Sequence, residues 1–221
     1  MKTPVFIAKG SCWIRTCTAF GLIFLAGCSA LPQPPAKAAL YDFGPAMGTE
    51  PVAQARPSLP PLVLADVESA GRSDLSANVY YRLAYSDAQQ LRPYAQSRWS
   101  QPPSHLVQQR LRERLGAQRA ILSSSELAAA RSNGGKTVVL NVVLEEFSQV
   151  FSSPTQSTGL LRLRATLLEA VPGGEALRGQ QVFTVQRPAP SADAAGGVRA
   201  LAEATDQAAQ DIAQWLEALK L

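Results

Sequence analysis

The chain has 221 residues, 46% of them apolar, a length that suits one folded domain with a sizeable core plus a tether. Its formal charge of +4 comes from 21 Lys and Arg against 17 Asp and Glu, but Lys2, Lys9 and Arg15 sit in the first 27 residues, so the remaining 194 carry 18 against 17. That near-neutral balance, with no basic run interleaved with aromatics, excludes nucleic acid and other polyanions as partners.

In chain order, the three early cations precede an uncharged apolar stretch, Cys17 to Ala26. This is the layout of a signal peptide. The stretch is shorter than the ~20 residues needed to cross a ~30 Å hydrocarbon core. It ends in Leu25-Ala26-Gly27-Cys28 followed by Ser29, which resembles the lipobox of bacterial lipoproteins. Cleavage before Cys28 is therefore expected, with diacylglycerol attached to its sulfur. Cys12 and Cys17 leave with residues 1–27, so the mature chain keeps one cysteine and no internal disulfide. Acyl chains at about 0.8 kcal/mol per buried methylene make such an anchor effectively permanent. Ser29 is not the aspartate that, in lipoprotein sorting, commonly retains a protein at the inner membrane. The expected location is the periplasmic face of the outer membrane.

Residues 28–61 carry the lipidated cysteine and eight prolines, and read as a tether spanning roughly 30 Å or more. Within it, Tyr41 to Pro45 has the alternative of a short edge strand. The folded domain is expected over 62–221. Leu62 to Val67 and Val79 to Tyr85 read as two antiparallel strands, and Gln89 to Tyr94 as a third that Pro93 confines to an edge. Ser100, Pro102 and Pro103 signal a helix start, with Leu106, Val107, Leu111 and Leu115 on one face and Trp99 packed just ahead of it.

Thr137 to Phe151 alternates, but its phase changes at Glu145-Glu146. Either the first half is buried on both faces or a β-bulge reverses the facing. After Ser152-Ser153-Pro154 a second long strand, Thr158 to Glu169, completes a hairpin. With a turn near Thr155, paired numbers sum to about 310, which sets Ser148 opposite Arg162 and Glu146 opposite Arg164, the latter two as an exposed cross-strand ion pair. Pro172-Gly173-Gly174 is a turn, Gln180 to Arg187 a further strand, and Val198 to Leu219 an amphipathic helix packed on the sheet. The fold class is α+β: an antiparallel sheet with a long central hairpin, flanked by two main amphipathic helices.

Tyr41-Asp42-Phe43-Gly44-Pro45, Tyr81-Arg82-Leu83, Tyr94, Arg98-Trp99, Pro102-Pro103 and Glu145-Glu146-Phe147-Ser148-Gln149-Val150-Phe151, in this order and behind a lipobox, resemble the ABC-type transport auxiliary lipoproteins, which include the PqiC-like lipoproteins. The resemblance implies a fold related to the N-terminal domain of TolB. It also implies partners: an MCE-domain protein with its ABC permease and ATPase, which move lipids between the membranes. A homo-oligomer is left open. A second reading is an envelope-assembly or pilotin-like lipoprotein that binds another client.

The sequence offers no complete catalytic arrangement. His105 is the sole histidine and has no identifiable partner. Asn133-Gly134-Gly135-Lys136-Thr137 imitates the end of a phosphate loop, but Ala130 replaces the earlier glycine and a strand follows. One histidine and a lipidated cysteine leave too few zinc ligands. Glu145 and Glu146, adjacent on a strand, are expected to point to opposite faces. No catalytic residue, metal or cofactor is assigned. The hairpin tip around Phe151, Pro154 and Ser157 is the candidate partner contact.

Overall fold

The structure, a computed structural model, describes residues 37–45, 59–71, 77–123, 125–126 and 138–220. Nine strands form one sheet: β1 (Ala39–Tyr41), β2 (Leu59–Leu64), β3 (Glu68–Ser69), β4 (Asn78–Leu83), β5 (Asp87–Trp99), β6 (Arg119–Leu122), β7 (Val138–Ser153), β8 (Gln156–Val171) and β9 (Gly174–Pro188). Helix α1 (Pro103–Gly116) follows β5 and α2 (Ala194–Ala218) follows β9. The class is α+β, as the sequence implies.

The sheet is mixed rather than antiparallel. The long strand β7 pairs antiparallel with β8, and β8 with β9, while the other side of β7 meets β2, β3 and β4 in turn, all parallel to it. The expected antiparallel pairing of β2 with β4 is thus corrected: the two lie end to end along β7, at Val139–Leu140 and Gln149–Phe151, with β3 between. The physical sign was in β2 itself. Leu62, Val63 and Leu64 are all at most 1% exposed, so this end of β2, whose neighbours in the sheet are β6 and β7, is covered on both faces. Pro93 lies in β5 opposite Tyr80, beyond the stretch where β1 covers the strand, so it does sit on an edge.

Segments 39–45 and 59–61, within the stretch read as tether, carry ordered structure. β1 pairs in parallel with β5 at Ser97–Trp99, β2 begins at Leu59, and the described residues from Ala38 onward belong to one compact unit.

The phase change in β7 is a β-bulge. The pairing with β8 slips between Leu144 and Glu146, so Leu140, Val142 and Leu144 before it and Phe147, Gln149 and Phe151 after it share the helix-covered face. The hairpin register is corrected too: Ser153 pairs with Gln156 across the turn and a second slip follows between Ser153 and Phe151, so Glu146 faces Arg162, while Arg164 lies beyond the bulge opposite Val143. The expected Glu146–Arg164 pair is replaced by Glu145, which takes Arg162 at 2.9 Å and Arg164 at 3.2 Å.

Both helices pack on one face. α1 starts with Pro103 at its first turn and buries Val107, Leu111 and Leu115. The Asp193 carboxylate caps α2 by accepting from the Gly196 amide at 2.7 Å, and that bond holds its pKa below the usual carboxylate range. α2 lays Ala200, Ala204, Ala208 and Ala209, each 0% exposed, against the sheet. These short side chains let the helix backbone approach closely. Gly159 of β8 meets it where an added Cβ would fall 2.7 Å from the Ala200 carbonyl carbon and the Leu201 amide nitrogen.

Candidate interaction face

The residues that carry the family resemblance lie far apart in sequence and assemble in one block where β1, β4, β5 and β7 meet. Trp99, 2% exposed, sets its ring edge-on to Phe43 at 5.7 Å and tilted to Phe147 at 5.5 Å. Tyr81 packs on Tyr94 at 4.6 Å and on Phe151 at 5.9 Å. Behind them lies a buried polar chain. The Tyr94 hydroxyl donates to Gln149 Oε1 at 2.9 Å, and Gln149 Nε2 donates to Ser157 Oγ at 2.7 Å. Burial, then the neighbouring Tyr81 and Asp193, pushes the Tyr94 phenol well above its ordinary pKa, so it stays a protonated donor.

On the opposite face of the sheet, the bulge turns both Glu145 and Glu146 outward together, correcting the expectation that they point to opposite sides. Glu146 takes a forked contact from Arg82, with Nη2 2.9 Å from Oε2 and Nε 3.4 Å from Oε1. Arg82 also donates to the Ala88 and Gln89 carbonyls, which ties the β4–β5 connection to the bulge. Beside it opens a cleft of about 160 Å³ lined by Ser69, Tyr80, Arg82, Glu145 and Glu146. A second, of about 330 Å³, lies along Asp66, Glu68, Asn141, Arg164 and Thr166. Each carboxylate at the bulge already meets a guanidinium. The arrangement suits polar recognition over acid–base chemistry, in which a carboxylate must exchange its proton.

Of the predicted contact residues, the structure keeps Pro154 exposed but buries Phe151 and Ser157, 6% and 8% exposed. Phe151 faces Leu83 across the β4–β7 pair and lies under Tyr81, so it is an interior ring and not part of the hairpin tip. Ser157 is occupied by Gln149. His105 is exposed on α1. Cys28 and the Asn133–Thr137 segment lie outside the described residues. Among the described residues no group of three or more His, Cys, Asp or Glu could hold a metal, and no helix is long and apolar enough to cross a membrane.

Sequence reasoning missed Arg110. It is 7% exposed, donates to the carbonyls of Phe43 and Gly44 at 3.1 and 3.3 Å, and pairs with Asp206 of α2 at 3.0 Å. Its guanidinium also lies 5.9 Å from the Phe43 ring centre. The available signal was its place beside Leu106, Val107 and Leu111 on the apolar stripe of α1.

The described residues thus form a two-layer α+β domain that covers one sheet face with helices and presents a charged, clefted face on the other. The chain belongs to the family of ABC-type transport auxiliary lipoprotein components, whose model matches residues 41–213. No curated protein matches it significantly. Among solved structures it is similar to a Xanthomonas campestris protein of the DUF330 family, with a TM-score of 0.60 and 19% identity over 74% of this chain and 88% of that one. A protein described as uncharacterized aligns with a TM-score of 0.55 and 16% identity over 81% and 99%. These likenesses show the fold. The family makes the chain a membrane-anchored lipoprotein of the envelope, associated with an ABC-type transport system.

Proposed function

We propose that the protein is a non-enzymatic docking subunit. Held on the periplasmic face of the outer membrane by a lipid on Cys28, it receives the periplasmic MCE-domain component of an ABC-type lipid transport system. The family match over residues 41–213 carries this reading. It is supported by the lipobox-like Leu25 to Cys28 and by Ser29 after it. The paired charges at the β7 bulge, which offer recognition and no free acid–base couple, agree with it. Phe151 and Ser157 drop out as direct contacts because they are buried, and Pro154 remains from the tip.

The anchor is tested by Cys28→Ser. Metabolic labelling with a palmitate analogue is expected to mark the wild-type protein and not the variant, and wild type is expected in the outer-membrane fraction of a density gradient. Equal labelling of the two proteins rules out Cys28 as the acylated residue, and recovery with the inner membrane overturns the assigned location.

A further inference from the structure

Leu40 is 71% exposed, more than any other large apolar side chain among the described residues, and Ala38 and Ala39 beside it are exposed as well. A single exposed leucine is ordinary. Its place in the chain sets this one apart. β1 is the outer strand of its end of the sheet, and Leu40 is in register with the half-buried Arg98 of β5, whose Nη1 donates to the Tyr94 and Ser97 carbonyls at 2.8 and 3.0 Å, so an apolar residue and a cationic one are neighbours beside the edge. The nearest acidic group in the chain, Asp42, is turned to the Gly44 amide at 2.8 Å. Ten residues separate Cys28 from Ala39, and so short a chain reaches about 35 Å at most. An apolar side chain flanked by a cation suits the boundary between phospholipid headgroups and acyl chains.

We infer that in the lipidated protein the β1 edge lies against the phospholipid headgroup layer, with Leu40 at the acyl boundary and Arg98 beside lipid phosphates. This rests on acylation of Cys28. The proline-rich stretch after Pro45 then does not lift the domain off the bilayer, because β1 is joined to the sheet ahead of it. The opposite edge, β9, lies five strand spacings away, about 24 Å, and faces the periplasm.

The mature chain has no cysteine besides Cys28, so a single probe can be placed cleanly. Lipidated Leu40→Cys and Leu177→Cys proteins, each carrying an environment-sensitive nitrobenzoxadiazole label, are reconstituted in phosphatidylethanolamine–phosphatidylglycerol vesicles containing doxyl-labelled lipid. Leu177, on β9, is 64% exposed and serves as the distant reference. The label at 40 is expected to shift to the blue and to be quenched at least twofold more than the label at 177. Equal, water-like emission from both, in protein whose mass shows the acyl chains, overturns the inference and leaves the anchor standing. Protein whose mass shows no acyl chains overturns the anchor and the inference together.

Discussion

Trp99→Ala is expected to destabilise the domain by about 3–5 kcal/mol, the range for removing a fully packed aromatic ring. For a domain of this size each kcal/mol moves the midpoint by about 2–4 °C, so thermal denaturation of the soluble domain followed by circular dichroism should show a fall of about 6–20 °C. The size of the effect follows from what the indole joins. It packs with Val79, Leu106, Val198 and Leu201, one from each of β4 and α1 and two from α2, and with the rings of Phe43 and Phe147. Its loss leaves a cavity that these separate elements cannot close without sliding against each other. Trp99→Phe, which keeps a ring between Phe43 and Phe147, should lose less than half as much. A Trp99→Ala protein within about 1 kcal/mol of wild type would show that this block is not a tightly packed core.

Gly159→Ala is expected to cost about 1–3 kcal/mol, the usual penalty for inserting a methyl group where packing is already complete. The added carbon would lie 2.7 Å from backbone atoms of α2, which cannot rotate away as a side chain could. The helix must shift as a body, and its alanine face then loses contact along the sheet. Gly174 provides the comparison: nothing lies within 4 Å of a Cβ there, and Gly174→Ala should be neutral or slightly stabilising. Chemical denaturation of the two variants distinguishes a packing cost from a generic effect of replacing glycine. Equal stability of the two would contradict the close approach of α2 to β8.

Much of this architecture was legible in the sequence because periodicity encodes burial on a single element. The β7–β8 hairpin, the helix opening at Pro103 and the stripe from Val198 all follow from which residues alternate or recur. Strand direction is not encoded that way. Leu62-Val63-Leu64 announces burial on both faces, yet nothing in it states that its neighbours, β6 and β7, are parallel. Register fails for a related reason. The phase change at Glu145-Glu146 identified the bulge as one of two options, but the turn closed by Ser153 and Gln156 and a further slip between Phe151 and Ser153 had already moved the pairing before the bulge is reached, which separated Glu146 from Arg164. Phe151 and Ser157 were misplaced because counting from the turn at Pro154 gives distance along the hairpin and not depth in the sheet. β4 covers Phe151, and Gln149 fills the space at Ser157.

The charged outer face was readable as residues and not as a site. Arg82, Glu145, Glu146, Arg162 and Arg164 come from three strands, and their meeting depends on the bulge turning two consecutive carboxylates the same way. The buried Arg110 shows the complementary difficulty. A cation on an apolar stripe reads as an interruption until Asp206 and the carbonyls of Phe43 and Gly44 are brought to it by the fold.

The central claim is that this lipoprotein acts by docking a transport partner. Affinity capture of the full lipidated chain from crosslinked cell membranes, probed for an MCE-domain protein, tests that claim. The account predicts recovery of the MCE-domain protein with its ABC permease and ATPase, together with raised outer-membrane permeability in a strain lacking the lipoprotein. Absence of the MCE-domain protein from the captured material, with an unaltered permeability barrier in the deletion strain, would contradict the account and favour an envelope-assembly lipoprotein with a different client.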